Sequence, residues 1–452
     1  MKLADSKELE SAKAIVSAGD LCFFLRLRYL YFSFDKNIYA DHFPVMKIRK
    51  SFFLLFSIAA IIIFLSECIH SGKINDDPRG NLYAGSQSCR QCHQAIFDSF
   101  ISSSHYNTTR ASLAKNVLGS FDHGRNTFVY NPDTRIVMER RDSGLYQVLY
   151  VNGKEKEIHR FDVTFGLKHA QTFLTWEGAR TFELPVSYYV SVDAWGSSPG
   201  GGYTSNEAYF KRAIGINCYE CHSSFIAEQI AMTPDKGIQK TLDRNTLVMG
   251  IDCERCHGPA LNHVNYHMAY PEAKEAEYVI TSQSLSRQQK SDACAVCHAG
   301  NDRQKDISPF RFKMGDTLAN YFAPFGQRVK PESGYDVHGN QYGLLSESKC
   351  FLKSQTLTCV TCHDPHADAG NDLTVYSKKC QSCHNNPDHS SLAAGATTAS
   401  FYKSNCIDCH MPEQPSRVIS FQIAGSNATS SYLLRTHRIA IYSDKKGKIL
   451  EN

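Results

Sequence analysis

Between Phe121 and Val192 apolar and polar positions alternate along the chain, the period-two pattern of half-buried strands. Thr127-Phe128-Val129-Tyr130, Ile136-Val137-Met138 and Tyr146-Gln147-Val148-Leu149-Tyr150-Val151 carry it, and Asn152-Gly153 follows as a hairpin turn. Val186 to Val192 offers a further strand, so residues 121–195 read as a small antiparallel sheet. The Gly-rich Ser197 to Gly202 reads as a flexible exit loop. Elsewhere periodic pattern is sparse, with short helices predicted over Gln94 to Ser102 and Phe225 to Ala231.

A second kind of pattern stands near the start. Lys47, Arg49 and Lys50 precede an almost wholly apolar run from Ser51 to Leu65, too short for a comfortable membrane span and arranged like an export signal. Met46 makes the better start, which leaves residues 1–45 as an over-extended N-terminus and 46–68 as the export segment. Cys68 ends the run where a lipoprotein signal places its lipidated Cys, although Glu67 replaces the usual small residue. Lipid anchoring, an uncleaved anchor and a cleaved soluble form all deliver the mature part across a membrane, to a periplasmic or cell-surface location.

The chemistry lies in a repeated pentapeptide. Cys-x-x-Cys-His occurs as Cys89-Cys92-His93, Cys218-Cys221-His222, Cys253-Cys256-His257, Cys294-Cys297-His298, Cys359-Cys362-His363, Cys380-Cys383-His384 and Cys406-Cys409-His410. Two thiols at this spacing form thioethers with the vinyl groups of a c-type haem, and the adjacent His supplies an axial nitrogen to the iron. Zinc ribbons share the Cys pair but give no reason for the His. At roughly 4% His, seven coincidences have a probability on the order of 10⁻¹⁰. A thioredoxin-type motif would occur once and lack that His.

Seven haems change the reading of everything else. Beyond Cys68 there are only about 55 residues per haem, too few for separate globules, so stacked haems form much of the core and folding requires them. The expected fold is a mostly α and irregular multihaem cytochrome c with one small inserted sheet. Its parts are a first haem unit over 69–120, a β-rich insert over 121–195 and a six-haem region over 196–452. The formal charge of +4 falls to roughly −5 oxidised and −12 reduced once haem and its propionates are counted beyond the export segment. That excludes nucleic acid and favours small or cationic redox partners. Fourteen of seventeen Cys are used by the motifs, and Cys350 reads as a small buried side chain.

Further segments fall into a recognisable order. Tyr83-Ala84-Gly85-Ser86 leads into the first motif, followed by Ser104-His105. Then come Gly250-Ile251-Asp252-Cys253-Glu254-Arg255-Cys256-His257-Gly258-Pro259 with His263, and Leu357-Thr358-Cys359-Val360-Thr361-Cys362-His363-Asp364-Pro365-His366. Cys406-Ile407-Asp408-Cys409-His410-Met411-Pro412 and Thr436-His437-Arg438-Ile439 close the series. The ordered set resembles bacterial multihaem cytochromes c related to the tetrahaem cytochrome of ammonia oxidisers, within the wider nitrite reductase and hydroxylamine oxidoreductase superfamily. The Cys-x-x-Cys-Lys haem site of the nitrite reductases does not occur here, which argues against nitrite reduction by that route.

The ligand opposite each motif His separates a carrier from a catalyst. Position and the resemblance together select His105, His263, His338, His366, His389 and His437 as distal ligands, with His123 leading for the seventh ahead of His169 and His159. His267 shares a helical face with His263, and Met411 is poorly placed to cap an iron. His366 is too close to His363 to reach the same iron, so it is expected to serve a neighbour, the Cys380 or the Cys406 haem. The first functional reading is an electron carrier between a membrane quinol-linked donor and another redox protein. The second is an oxidoreductase acting on a small nitrogen or sulfur compound at one five-coordinate haem.

Overall fold

The computed structural model describes residues 76–442 except 200–206, 235–236, 301–304, 323–333, 369, 371, 386, 388, 390–403 and 424–427. The chain divides into two units, Met1–Lys73 and Ile74–Asn452. The expectations for residues 1–45, for the export segment and for Cys68 lie outside the described residues. No helix among the described residues is long and apolar enough to cross a membrane.

The β content is larger than expected. Four strands, β2 (Thr127–Asn131), β3 (Thr134–Arg141), β4 (Gly144–Val151) and β5 (Lys154–Arg160), form an up-and-down sheet in sequence order. The β4–β5 turn is Asn152-Gly153, both with positive φ, so the two-residue loop closes the hairpin with the twist its strands need. A second, seven-stranded sheet runs β1 (Thr109–Ala111), β6 (Val163–Phe165), β7 (Ala170–Glu177), β8 (Arg180–Glu183) and β11 (Ala213–Ile214). Strands β9 (Val186–Tyr189) and β10 (Ala194–Ser197) join it through β7. Residues outside 121–195 thus complete this sheet, a contribution that short runs such as Thr109–Ala111 do not advertise.

The two sheets share one core. Ile136 and Met138 of β3 and Leu145 and Leu149 of β4 meet Phe161, Phe173, Leu184, Tyr188 and Trp195. Each such side chain contributes about 1.5–3 kcal/mol by leaving water. Buried Gln147 stitches β4 to β9, donating to Val186 O at 2.6 Å and accepting from Val186 N at 3.2 Å. Such a pairing satisfies a polar side chain that the core would otherwise penalise.

Two hairpins lie outside these sheets. Phe225 to Ala231, expected as a helix, belongs instead to β12 (Ser223–Thr233), paired with β13 (Gly237–Met249). The segment has no strong intrinsic preference, and its partner supplies Thr241, Thr246 and Val248, residues suited to a strand. Strands β14 (Glu413–Gln422) and β15 (Thr429–Arg435) form the last hairpin, and Phe421 and Tyr432 pack on Tyr189. The helices are short, the longest among the described residues being Arg287–His298, whose start is closed by a Ser286/Gln289 capping box. The fold is therefore mixed, and the expectation of a mostly α chain is corrected. The alternation of Phe128 to Val151 announced one sheet, but pairings between distant segments built the rest.

Candidate haem-binding centre

Each motif is a single helical turn. The His amide donates to the carbonyl of the first Cys at 2.8 Å for His93 and 3.0 Å for both His363 and His384. Positions i, i+3 and i+4 share a helix face, so both thiols and the imidazole emerge on one side. In the third motif Asp252 caps the turn by accepting from Arg255 N at 2.8 Å.

Other imidazoles face the motif His. Ring centroids are 6.4 Å apart for His93 and His263, 6.0 Å for His257 and His366, and 6.2 Å for His363 and His437, all with near-parallel rings. The separation is 6.2 Å for His298 and His105 and 6.5 Å for His410 and His389, with rings steeply inclined. His338 lies within electrostatic reach of His222. An iron midway between two imidazole nitrogens, about 2 Å from each, separates the ring centres by about 6.3 Å. The spacing therefore fits an iron between each measured pair.

Hydrogen bonds set the tautomers. His263 Nδ1 lies 2.7 Å from Glu277 O, His410 Nδ1 2.9 Å from Ala440 O, and His389 Nδ1 3.2 Å from Pro387 O. A carbonyl only accepts, so Nδ1 carries the proton and Nε2 keeps the lone pair. Burial pushes His105, His222 and His437 down to about 4, which keeps these rings neutral and able to bind a metal. His105 and Cys256 are enclosed by the chain yet keep open surface, as walls of a cleft do. Buried Arg255 Nε and His437 Nδ1 have no hydrogen-bond partner among the described residues. Such atoms cost about 1–3 kcal/mol each when left unsatisfied, and the Arg255 donor suits an anionic group such as a haem propionate. A cavity of about 430 Å³ beside Cys362 and His363, walled by Val375, Tyr376 and Lys379, gives room against the fifth motif. The residues present fit the group.

Thiols of different motifs approach one another. Cys89 is within hydrogen-bonding reach of Cys253, Cys221 of Cys297, and Cys294 of Cys359. Cys256 feels the field of Cys297, Cys362 that of Cys383, and Cys380 that of Cys406 and Cys362. The first and third motifs are clamped together by buried Glu254. Its carboxylate accepts from Ala84 N and Gly85 N, both at 2.8 Å, and from Ala260 N at 2.9 Å. Arg79 adds a fork onto Asp252 at 3.0 and 2.7 Å and a contact to Glu254 at 3.5 Å. In the second motif Glu220 is buried between Lys305 Nζ at 2.9 Å and Ser308 Oγ at 2.8 Å. Backbone places His105 as well. Ile251 N donates to His105 O at 2.9 Å, and Gly250, with φ +68°, abuts Tyr106 O where no Cβ would fit.

Sequence reasoning and structure part at several residues. His123 stands in an exposed turn before β2 and makes no ring contact with a motif His among the described residues. His159 stacks on Phe210 at 4.1 Å, and His169 meets Tyr432 at 6.3 Å. His267 touches His263 edge-on at 4.6 Å, too close for an iron between them. His366 does face a foreign motif, but that of Cys253 and Cys256 rather than the Cys380 or Cys406 motifs expected from sequence proximity. Arg79, Glu220 and Lys305 were missed, because nothing in a lone charged residue reveals a partner far along the chain. Glu254 and Arg255 had one signal, the placement of two charges inside a motif.

Residues 203–258, spanning the second and third motifs, match the family model described as cytochrome c554 and c-prime. The chain is similar to the dissimilatory sulfite reductase MccA of Wolinella succinogenes, 21% identical over 394 residues that cover 74% of this chain and 51% of that protein. It is also similar to the multiheme cytochrome MtrA of Shewanella baltica, 24% identical over 181 residues, covering 37% of this chain and 52% of that one. The chain thus spans about half the length of the curated relatives it matches. Among solved structures, the outer cell wall cytochrome OcwA superposes with a TM-score of 0.46 at 15% identity, covering 80% of each chain.

Proposed function

We propose that this chain, a bacterial multihaem cytochrome c, binds seven haems at its seven motifs and passes electrons between redox partners outside the cytoplasm. The observation that carries the reading is the set of His pairs 6.0–6.5 Å apart, each joining a motif His to a distant one. Haem bound there supplies one-electron iron chemistry. The paired imidazoles would hold such an iron from both sides, which suits a carrier and disfavours ligand exchange. His263, His338, His105, His366, His437 and His389 would serve as the second ligands to irons held by His93, His222, His298, His257, His363 and His410.

The thiol contacts support an order for the haems. They run first, third, fourth, fifth, sixth, seventh, with the second branching from the fourth. Glu254 and Arg79 hold the first and third in fixed relation, so electron passage at that step needs little rearrangement. The basic residues before the apolar run Ser51 to Leu65 support export, and the negative holoprotein charge supports cationic or small partners such as a quinol-linked donor. Spectropotentiometry of the holoprotein tests the carrier role. Sequential one-electron steps with low-spin haem spectra are expected, and a majority of high-spin haems would overturn it.

A further inference from the structure

The haem attached through Cys380 and Cys383 differs from the rest, an inference that rests on the seven-haem reading above. We propose that the iron held by His384 has an open distal face and takes a small external ligand, a molecule of diatomic or triatomic size offering a carbon, nitrogen or sulfur lone pair.

Every imidazole among the described residues has an assignable environment. Five motif His have an imidazole partner at 6.0–6.5 Å, and a sixth, His222, feels the field of His338. His384 has no imidazole facing it among the described residues. Four other His remain, and each is engaged elsewhere. His123 lies in the exposed turn before β2, and His159 is sandwiched by Phe210 and by Glu157 at 3.0 Å. His169 packs on Tyr432, and His267 on His263 and Tyr266. Met411 follows the His410 turn directly and belongs to a different motif.

The surroundings suit an exchangeable ligand. The helix Leu373–Gln381 ends with Lys378 and Lys379 in its last turn, which favours a small anion over a cation. Cys380 feels the field of Cys362 and Cys406, so an iron here would stand between two neighbours, each with a pair of imidazoles, from which electrons could arrive. A carrier needs no open iron in the middle of its chain. An open one is placed where a ligand is reduced or sensed.

The test uses matured full-length protein whose mass shows seven haems, which checks the underlying reading separately. Reduced protein is titrated with carbon monoxide and ferric protein with azide. One carbon monoxide per seven haems, one azide and one high-spin ferric signal are expected. No carbon monoxide binding, with all seven haems low-spin, would overturn the proposal. Carbon monoxide binding without azide binding would overturn the anionic class. His384→Ala then locates the site. The low-spin count should stay at six, because His384 serves the iron that is already high-spin, whereas a fall from seven to six would mean His384 had a distal partner. If the variant matures with six haems, loss of carbon monoxide binding supports the assignment and its retention refutes it.

Discussion

Replacing Glu254 by Gln probes the joint between the first and third haem sites. The glutamate side chain is buried, and its two oxygens together accept three backbone amides at 2.8, 2.8 and 2.9 Å. Oε1 serves Ala84 and Ala260, while Oε2 serves Gly85 and lies 3.5 Å from Arg79 Nη2. Gln keeps the shape but offers one acceptor. With its oxygen toward Ala84 and Ala260, its NH₂ points at the Gly85 amide and the Arg79 guanidinium, both donors. One charge-assisted bond is lost, worth about 1.5–3 kcal/mol, and a buried donor is left unpaired at about 1–3 kcal/mol. A net loss of roughly 2–5 kcal/mol follows once partial relaxation is discounted. Denaturant unfolding of the holoprotein, followed by the Soret band and far-UV circular dichroism together, measures it. The first haem should also become easier to perturb, showing a changed potential while the seventh does not. A loss under about 1 kcal/mol with unchanged potentials would refute the clamp.

Further outcomes follow from other residues. His338→Ala should add one high-spin haem to the ferric spectrum, and His366→Ala another, that of the Cys253 site rather than the Cys380 or Cys406 sites; unchanged spectra would remove these His from the ligand set. Gly250→Ala forces a Cβ against Tyr106 O from a positive-φ position, so it should displace His105 and weaken the His298 iron's ligation, read as a low-spin to high-spin shift on mild heating. Glu183 is pushed up to about 7 by burial, against the pull of Arg212. Its contribution is full below its ordinary value and is lost as pH rises through 7, so stability should fall by roughly 3 kcal/mol across that window. Glu183→Gln should flatten that slope in pH-dependent thermal unfolding. Shortening the β12–β13 hairpin at Met232 and Ile238, which are 79% and 62% exposed, should leave the haem count and spectrum unchanged.

The helical turns of the motifs were legible because their pattern is local. Two thiols and an imidazole must sit on one helical turn, and five consecutive residues encode that. The hairpin at Asn152-Gly153 was legible for the same reason. Pairing was harder. His366 was expected to serve a neighbouring haem, and sequence proximity pointed to the Cys380 or Cys406 site, whereas the fold brings its ring to 6.0 Å from that of His257. Chain distance says little where contacts between distant segments, such as Glu254 with Ala84 and Gly85, organise the packing. The helix expected over Phe225 to Ala231 failed because a partner strand from Gly237 to Met249 overrides weak local preference. His123 illustrates the remaining limit: a His in a loop carries no mark of which surface the loop will join.

Intact mass of the mature holoprotein, expressed with c-type maturation machinery, tests the central claim most directly. The mass should equal that of the polypeptide plus seven covalently attached haems that survive denaturation, with no zinc. Fewer haems in fully matured protein, or bound zinc in their place, would contradict it.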